Sequence, residues 1–451
     1  MNDREWGFKT RAIHAGGGPD TATGARNVPV YQTTSFVFED TRDAADIFAL
    51  QKFGSIYTRI SNPTVNAFEE RMASLEGGIG SVATSSGMSA EFLTAAALAS
   101  SGDSFVTSSA IYGGTHTMFD VSLGKFGIEA RFVEGDDPDS FDAVIDKSTK
   151  FLYTEIVGNP SGSIADISVL ASVAHSHDIP LVIDATFATP YLCRPIDFGA
   201  DIVLHSATKF IGGHGNSIGG VVTESGRFNW GNGRFPEMTE PVATYNGLKY
   251  WENFGEYAFC TKLRSEQLRD LGASLAPMNA FLLIQGLETL PFRMDGHVAN
   301  AKTVASFLEN HSEVSWVNYA GLESSPHHEL ANKYMPKGPG AIFTFGVKGG
   351  RESGAKFIDS LQLISHLANV GDVRSLVIHP ASTTHQQLSD EDLASGGVSA
   401  DIVRLSVGLE DSDDILWDLD QALEKASSRC QLKRKKLRVG MNQVLKKGLR
   451  F

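Results

Sequence analysis

The sequence predicts an α/β protein whose central β-sheet is mostly parallel. Two observations indicate this architecture between about residues 59 and 255: short apolar runs recur there, and helical stretches separate them. Buried parallel strands are continuously apolar because helices cover both faces of the sheet, and alternation with helices favours parallel crossovers. The runs that we interpret as strands lie at residues 80–84, 103–107, 151–154, 180–184 and 202–204.

Composition and periodicity set this sheet domain, residues 59–255, apart from its neighbours. Residues 1–58 are rich in Thr, Gly and Pro with little periodic pattern, so we expect an N-terminal arm that wraps a partner subunit rather than a core. Residues 256–424 open with a long helical stretch and contain strand-like segments at 341–347 and 401–407. This pattern predicts a smaller C-terminal α+β domain.

Residues 425–451 form a basic tail that contains ten of the 39 Lys and Arg residues and no Asp or Glu. Such a run can bind nucleic acid or an anionic surface, or it can be a solvated tail or a non-native extension. We favour the second pair of interpretations, because basic runs are unspecific. The whole chain carries a net charge of -14, which argues against a nucleic-acid partner.

The overall composition, 42% hydrophobic and 20% charged over 451 residues, is that of an ordinary soluble globular protein. No apolar run is long enough to span a membrane and the first residues do not resemble a signal peptide, so we expect a cytoplasmic location and no membrane partner. The cysteines at positions 193, 260 and 430 are widely spaced. This usage suits a reducing compartment and predicts neither a disulfide framework nor a metal site.

Residues 204–209, Leu-His-Ser-Ala-Thr-Lys, end in a candidate cofactor-binding side chain, Lys209. A primary amine condenses with an aldehyde to give a Schiff base, so Lys209 is a candidate attachment point for pyridoxal 5'-phosphate (PLP), with hydroxyls at Ser206 and Thr208 beside it. Asp184 ends a predicted strand, where its carboxylate can pair with the pyridine nitrogen and keep the ring an electron sink. Taken alone, Ser-x-Thr-Lys is equally compatible with a surface lysine that follows a strand.

Further segments match a PLP site in the order in which they occur. Gly87 and Met88 begin an alanine-rich helix, where backbone amides can bind phosphate, although an ordinary Ser-capped helix is the simpler alternative. Tyr112 can stack on a flat cofactor and Asn159 can bond its ring oxygen, although each could be a plain loop residue. A cofactor site is favoured by the order of these segments along the chain, which is a glycine loop, a tyrosine, an asparagine, an aspartate and a lysine.

Longer motifs identify the chain by resemblance. They are Thr-Arg-Ala-Ile-His-Ala-Gly at 10–16, Pro-Val-Tyr-Gln-Thr-Thr-Ser at 29–35, Tyr-Thr-Arg-Ile-Ser-Asn-Pro-Thr at 57–64 and Arg-Leu-Ser-Val-Gly-Leu-Glu at 404–410. From about Thr10 to about Leu423 the chain resembles the PLP-dependent enzymes of cysteine and methionine metabolism. The resemblance implies an aspartate-aminotransferase-like fold, fold type I, with PLP attached to Lys209.

Four more segments narrow the resemblance, at 212–220, 283–290, 365–372 and 378–385. They are similar to enzymes of the family that replace the acyl group of an O-acylhomoserine with sulfide. The resemblance thus implies conversion of O-acetyl-L-homoserine and sulfide to L-homocysteine and acetate, and it leaves open whether sulfide or a small thiol is the preferred sulfur donor. Cystathionine or methionine γ-lyases and O-succinylhomoserine sulfhydrylases are the alternatives, but lyases of the family tend to carry Glu-Ser where this chain has Ala368-Asn369.

The resemblance also implies roles for residues outside the strand ends. Tyr57 and Arg59 are expected to complete the phosphate site of a neighbouring subunit, with Tyr57 also an acid near the leaving group. Arg404 is expected to bind the substrate α-carboxylate through its two-pronged guanidinium, with Asn369 as a second substrate contact; a sheet-edge salt bridge is the alternative for Arg404. The implied assembly is a homotetramer built from dimers that share active sites. The expected catalytic side chains are Lys209, Tyr112 and Tyr57.

Overall fold

The computed structural model describes residues 5–383 and 399–427. Its backbone clusters into two compact units. Residues 256–295 cluster with the first unit, and the domain boundaries expected after residues 58, 255 and 424 stay predictions about which segments fold together. Within the described residues, the first unit comprises 5–159, 163–295 and 329–339, and the second comprises 160–162, 296–328, 340–383 and 399–427.

The first unit is built on a sheet that has seven strands among its described residues. The strands are β1 (Gly80–Thr84), β2 (Ser104–Ser108), β3 (Glu129–Val133), β4 (Thr149–Glu155), β5 (Leu181–Asp184), β6 (Ile202–Ser206) and β7 (Gly220–Glu224). Their order across the sheet is β1-β7-β6-β5-β4-β2-β3. All pairings from β6 to β3 are parallel, whereas β7 runs antiparallel to both β1 and β6. The prediction of a mostly parallel sheet is therefore confirmed.

The strands are apolar because the sheet is covered on both faces. Every residue of β5 is buried, and Val82, Val106 and Val203 are fully buried on other strands. On neighbouring strands, the rings of Phe105 and Phe151 stack with their centroids 4.5 Å apart. Burying one such side chain stabilises a protein by roughly 1.5–3 kcal/mol, so the apolar runs of the sequence are the core of this unit.

Two helices next to β1 begin at side-chain caps. Helix Pro63–Glu76 starts after Asn62, whose side chain accepts a backbone N–H of the first turn, and ends at Gly77, which has the left-handed φ of 78°. Ser86 caps helix Gly87–Leu98 in the same way. The other α-helices are Phe8–His14, Thr41–Phe48, Gly113–Thr117, Pro138–Asp142, Ile167–Ser176, Thr189–Leu192, Pro236–Thr239, Tyr250–Phe254, Ala258–Lys262 and Arg269–Leu271. Short 3₁₀ or π-helical segments lie at Met118–Leu123, Gly124–Phe126, Pro195–Phe198, Ala243–Tyr245, Gly255–Tyr257 and Leu263–Leu268.

The second unit has a smaller sheet, with five strands among the residues that are described. The strands are β8 (Val314–Asn318), β9 (Ile342–Val347), β10 (Ser365–His366), β11 (Leu376–Ile378) and β12 (Ile402–Ser406). Their order is β10-β11-β12-β9-β8, and all neighbours are antiparallel except β10 and β11. The two predicted C-terminal strands are β9 and β12, which confirms the α+β expectation. Helices Gly350–Ser360 and Ser412–Ala426 and the 3₁₀ turn Pro380–Ser382 belong to this unit, and helices Pro277–Glu309 and His328–Tyr334 contribute residues to both units.

The basic tail lies almost entirely beyond the described part of the chain. Lys425 belongs to the last turn of helix Ser412–Ala426, whereas residues 428–451, with Cys430, lie outside the described residues. Interpretations of the tail stay predictions. Of the helices within the described ranges, none is long and apolar enough to cross a membrane.

Candidate active site

The topology of the first unit gathers the predicted cofactor residues at one edge of its sheet. Because β1, β2, β4, β5 and β6 run in the same direction, their carboxyl ends meet at this edge. Each strand is followed there by one of the predicted segments. The residues brought to this edge are Gly87, Met88, Tyr112, Asn159, Asp184, Ser206, Thr208 and Lys209.

The glycine loop and the end of β6 form a cradle for an anion. A Cβ atom at Gly87 would lie only 2.6 Å from Cβ of Ser206, so the helix start approaches β6 at a distance that only glycine allows. The first amides of helix Gly87–Leu98 therefore stand directly beside the Ser206 side chain. Free amides at a helix N-terminus together with a hydroxyl are donors that fit a phosphate group.

The segment that carries Lys209 is held in a tight turn. The backbone N–H of Lys209 donates to the carbonyl oxygen of Ser206 at 3.2 Å, and Gly213 donates to the carbonyl of Lys209 at 2.7 Å. Thr208, the residue before Lys209, forms hydrogen bonds with the backbone of Gly219. Its N–H donates to the Gly219 carbonyl at 3.2 Å, and its Oγ1 accepts the Gly219 N–H at 3.1 Å. Lys209 itself is half-buried, which suits an amine that must meet a bound aldehyde.

Asp184 is a buried carboxyl at the end of β5, with 8% of its surface exposed. Its Oδ1 accepts the N–H of Thr186 at 2.8 Å, and Thr186 Oγ1 in turn accepts the N–H of Ser206 at 2.8 Å. Burial raises the pKa of Asp184, against the lowering effect of the Thr186 hydrogen bonds and of His205. A carboxyl that loses its solvation in this way is stabilised by a cationic partner, as a protonated pyridine nitrogen would be.

Two further carboxyls, which the sequence reasoning did not single out, lie in the electrostatic field of Asp184. Glu155, paired with Asp184 across β4 and β5, accepts the N–H of Tyr112 at 2.6 Å and so fixes the loop that carries this ring. Burial, reinforced by the charge of Asp184, raises the pKa of Glu155 well above its usual range. A glutamate at the end of an apolar strand was the available signal for this residue.

Glu91 is the second of these carboxyls, one turn into the helix that starts at Gly87. Both of its oxygens accept from Thr115 Oγ1, at 3.0 and 2.9 Å, and one accepts from the Tyr153 hydroxyl at 3.3 Å. Burial and the charge of Asp184 raise the pKa of Glu91 to about 8. Like charges in one buried cluster cannot all be present, so at least one of these carboxyls keeps its proton at neutral pH.

Tyr112 and Asn159 lie on neighbouring loops of the same edge. The backbone N–H of Asn159 donates to the carbonyl of Ala110 at 3.3 Å, which ties the two loops together. Asn159 is buried, whereas Tyr112 is 49% exposed, as a ring that is to stack on a ligand must be. A Cβ at Gly114 would lie 2.5 Å from the Tyr112 ring, so this glycine makes room for the tyrosine. Their cofactor roles stay predictions.

Tyr57 and Arg59 lie together where the arm joins the sheet domain, and both are exposed. The Arg59 guanidinium stands over the Tyr57 ring, 5.3 Å from its centroid, and a Cβ at Gly272 would touch the Arg59 side chain at 3.7 Å. Tyr57 is 41% exposed. Their role in the phosphate site of a neighbouring subunit stays a prediction.

Arg404 and Asn369 belong to the second unit. Arg404 is the central residue of β12, opposite Ile378 of β11 and Thr344 of β9, and it is half-buried. Asn369 follows β10 and is also half-buried. Their contact with substrate stays a prediction, because it rests on resemblance alone.

Two other expectations concern metals and cysteines. Across the described ranges, no group of three or more His, Cys, Asp or Glu side chains is placed to hold a metal ion. Cys193 and Cys260 are buried free thiols in the first unit, and burial raises the pKa of both well above the usual range. These thiols are therefore poor nucleophiles.

Comparison with known proteins decides the family. A family model described as Cys/Met metabolism PLP-dependent enzyme matches residues 9–424. The chain belongs to this family. The resemblance inferred from the motifs is confirmed over nearly the same span, and the protein is a PLP-dependent enzyme.

Individual members of this PLP-dependent family are similar over almost the whole chain. The O-acetyl-L-homoserine sulfhydrylase of Leptospira meyeri is 50% identical over 425 residues, which are 92% of this chain and 96% of the relative. The homocysteine synthase of Schizosaccharomyces pombe is 50% identical over 422 residues, 93% of this chain and 98% of the relative. This chain therefore covers almost the full length of both relatives.

A solved structure from Campylobacter jejuni superimposes with a TM-score of 0.89 at 42% identity, covering 93% of this chain and 100% of the other. It carries N'-pyridoxyl-lysine-5'-monophosphate, so PLP is attached there to a lysine side chain. The fold predicted from the sequence, fold type I, and the predicted cofactor, PLP, are therefore confirmed. The assignment of the attachment to Lys209 stays a prediction.

Proposed function

We propose that this enzyme replaces the acetyl group of O-acetyl-L-homoserine with sulfide, giving L-homocysteine and acetate, in cytoplasmic methionine and cysteine biosynthesis. The observation that carries the proposal is the pair of names borne by relatives that are 50% identical over at least 92% of the chain. The donors and carboxyls gathered at the sheet edge support it, because they fit the cofactor that this chemistry requires.

Lys209 is the central residue of the proposed mechanism. When bound, PLP supplies an electron sink for the charge that develops on the α-carbon of the substrate. Once the substrate amine has replaced the Lys209 amine at the cofactor, the freed Lys209 amine removes the α-proton of the substrate. It then removes a proton from the β-carbon. Acetate leaves the γ-carbon with the bonding electrons, assisted by Tyr57 as an acid, and hydrosulfide adds to the same carbon. Return of the protons by Lys209 completes the replacement.

Other side chains bind and orient in this proposal. Asp184 pairs with the pyridine nitrogen and keeps this nitrogen protonated. Its burial and the hydrogen bond that it accepts from the Thr186 N–H support this role. Arg404 holds the substrate α-carboxylate through two parallel hydrogen bonds. Asn369, on the loop between β10 and β11 of the same unit, is the second substrate contact. The remaining cofactor contacts are assigned to Gly87, Met88, Ser206 and Thr208 for the phosphate, Tyr112 for the ring face and Asn159 for the ring oxygen.

Product analysis with two acyl donors tests the proposal. The purified enzyme is supplied with O-acetyl- or O-succinyl-homoserine, each with and without sulfide, and homocysteine and 2-oxobutyrate are quantified. We expect homocysteine with sulfide and a preference for the acetyl ester of at least about tenfold, because burying the extra carboxylate of the succinyl group is costly. Equal rates with both esters would contradict acetyl preference, and sulfide-independent 2-oxobutyrate as the main product would identify a γ-lyase.

For the assembly, we propose a homotetramer built from two dimers. Within each dimer, Tyr57 and Arg59 of one subunit complete the phosphate site of the other. The arm supports this proposal because it leaves large apolar side chains uncovered: Phe53 is 90% exposed and Val37 fully so. Exposed apolar side chains mark a partner surface where they form a contiguous patch, which is the arrangement this proposal expects of the arm.

Mixing two inactive variants tests the shared site. Arg59→Ala and Lys209→Ala chains are denatured together at equal amounts and refolded. If the site is shared, half of the randomly formed dimers are hybrids and each hybrid has one intact site of two, so about a quarter of the parent activity returns. Activity near zero in the mixture would show that each site draws on one chain.

A further inference from the structure

The loop that follows Lys209 runs directly along the backbone of helix Pro277–Glu309. A Cβ atom at Gly286 of this helix would lie 2.3 Å from the carbonyl oxygen of Ile211 and 2.7 Å from that of Gly212. Backbone therefore packs on backbone here, with no side chain between. A glycine at this helix position allows the approach, and any larger residue would push the loop away.

One side chain of the same helix clamps this loop. Arg293, 6% exposed, donates from Nη1 to the carbonyl of Phe210 at 2.7 Å and from Nη2 to that of Ile211 at 3.1 Å. Nη2 also donates to the carbonyl of Gly286 at 2.7 Å, and Nε donates to Thr289 Oγ1 at 3.2 Å. The two residues that follow Lys209 are thus bonded to the same guanidinium that is anchored to the helix.

A third contact brings the clamp up to Lys209 itself. Gly213, at a left-handed φ of 73°, donates its N–H to the carbonyl of Lys209 at 2.7 Å. A Cβ at Gly213 would lie 2.1 Å from Nη1 of Arg293, so the guanidinium fills the space that a side chain would need. Consecutive carbonyls from Lys209 to Ile211 are therefore all fixed, the first by the turn and the next two by the arginine.

The energetics favour a specific function for this arginine over general packing. Burial lowers the pKa of Arg293 to about 10, which leaves it protonated at neutral pH. Charged donors give stronger and more directional hydrogen bonds than neutral ones, and the planar fork can serve several carbonyls at fixed angles. A buried charge is costly unless it is hydrogen-bonded, and the carbonyls of Phe210 and Ile211 supply two of the bonds that compensate this one.

We propose that Arg293 is a positioning residue for Lys209, which holds the loop so that the lysine amine meets the aldehyde of PLP. The inference rests on the attachment of PLP to Lys209 proposed above. In this role Arg293 acts through the backbone of residues 210 and 211, to whose carbonyls it donates. Replacing Arg293 should therefore weaken the covalent bond between Lys209 and the cofactor and leave phosphate binding in the cradle unchanged.

Two cofactor forms separate these effects. PLP binds through both the cradle and the lysine, whereas pyridoxamine 5'-phosphate has an amine in place of the aldehyde and binds without a bond to lysine. Dissociation constants of both are measured on cofactor-free protein for the parent, Arg293→Met and Arg293→Lys. We expect Arg293→Met to weaken PLP binding by roughly tenfold to a hundredfold relative to pyridoxamine phosphate, because a displaced lysine amine no longer meets the aldehyde in bonding geometry; a displacement of about 1 Å can cost roughly a hundredfold in reaction rate. Arg293→Lys should recover part of the loss.

Arg71→Met is the matched control, because Arg71 is an equally buried arginine of the first unit. It donates to the carbonyl of Ala15 and pairs with Glu288 of helix Pro277–Glu309, so it contacts the same helix but not the carbonyls of residues 210 and 211 that Arg293 binds. We expect this variant to lose stability while one ratio, the dissociation constant of pyridoxamine phosphate divided by that of PLP, stays at the parent value. Gly213→Ala is a second probe, since its methyl group displaces the guanidinium without changing its charge, and it should lower the ratio in the same direction as Arg293→Met.

An unchanged ratio in both Arg293→Lys and Gly213→Ala would overturn the proposal, even if Arg293→Met does not accumulate as folded protein. A ratio that falls equally in Arg71→Met would also overturn it, because the effect would then follow general destabilisation. Borohydride reduction of the parent with peptide mapping tests the underlying assumption separately. Label on a peptide without Lys209 would refute the attachment site, a result that differs from an unchanged ratio.

Discussion

The two sheets of this protein carry their candidate functional side chains in different ways. In the first unit, the residues follow the carboxyl ends of parallel strands and come from loops far apart in the chain. In the second unit, Arg404 lies in the middle of β12, with antiparallel neighbours on both sides.

The difference explains why one set could be inferred from chemistry and the other could not. Parallel strands bring all their carboxyl ends to one edge, so a lysine, an aspartate and a glycine loop at such ends are expected to meet. Antiparallel neighbours point in opposite directions, so a residue inside such a strand has no comparable reason to converge with others. The interpretation of Arg404 therefore depends on family resemblance.

Replacing Lys209 tests the strand-end set most severely. Lys209→Ala should lower turnover by roughly 10²–10⁴-fold or more and abolish the absorption of lysine-bound cofactor, because both the attachment amine and the base are removed. Circular dichroism should show an unchanged fold. Lys150→Ala is the control, since this lysine donates to the carbonyl of Arg234 on another part of the first unit, and it should keep the cofactor. Near-normal activity of Lys209→Ala would refute the site.

Replacing Arg404 tests the second unit. Arg404→Lys keeps the charge but loses the fork that bonds a carboxylate twice, so kcat/KM for acetylhomoserine should fall roughly tenfold to a hundredfold while PLP affinity stays constant. Arg374→Lys is the matched control, because this arginine of the same unit is largely exposed and pairs with Asp372. An unchanged specificity constant for Arg404→Lys would mean that Arg404 serves only the sheet.

The buried carboxyls make a pH-dependent prediction for the first unit. The unfolded chain ionises Glu91 near the usual pKa of 4.5, whereas burial raises the folded-state pKa to about 8. Between these values the folded state holds the extra proton, so stability falls as pH rises. Glu91→Gln has no proton to lose, so its stability relative to the parent should rise across this window, by up to about tenfold in the folding equilibrium per pH unit, and level off above it.

Urea denaturation of cofactor-free protein from pH 5 to pH 9 measures this difference. Glu70→Gln, at an exposed position of helix Pro63–Glu76, is the control and should follow the parent at every pH. A constant offset between Glu91→Gln and the parent would show that the Glu91 proton does not contribute.

The smallest effect is expected at Thr186, which joins the ends of β5 and β6. Thr186→Val keeps the shape but removes the oxygen that accepts the N–H of Ser206, so stability should fall by about 1 kcal/mol or slightly more. Thr186→Ser retains the hydroxyl and should lose less. Equal urea midpoints for Thr186→Val and the parent would mean that solvent replaces this bond without cost.

The sequence alone determined the sheet type and the order of the main site residues. Apolar runs predicted β1, β2, β4, β5 and β6 because a covered parallel strand must be apolar along its length. Asp184 and Lys209 followed from where those runs end and from the chemistry of a carboxylate and a primary amine. The strand predictions were confirmed because they depend on local pattern. The roles of Asp184 and Lys209 stay predictions, which rest on side-chain type and on position at strand ends.

Tertiary structure decided the pairings across long stretches of chain. One example is β7, which inserts between β1 and β6. Others are the hydrogen bonds of Glu91 with Tyr153 and of Arg293 with Phe210, which join segments tens of residues apart. Nothing in the local pattern specifies such partners, because hydrogen bonds between distant segments exist only once the whole sheet and its covering helices have formed. The residues that hold Lys209 and Asp184 in place are for this reason visible in the fold and not in the sequence.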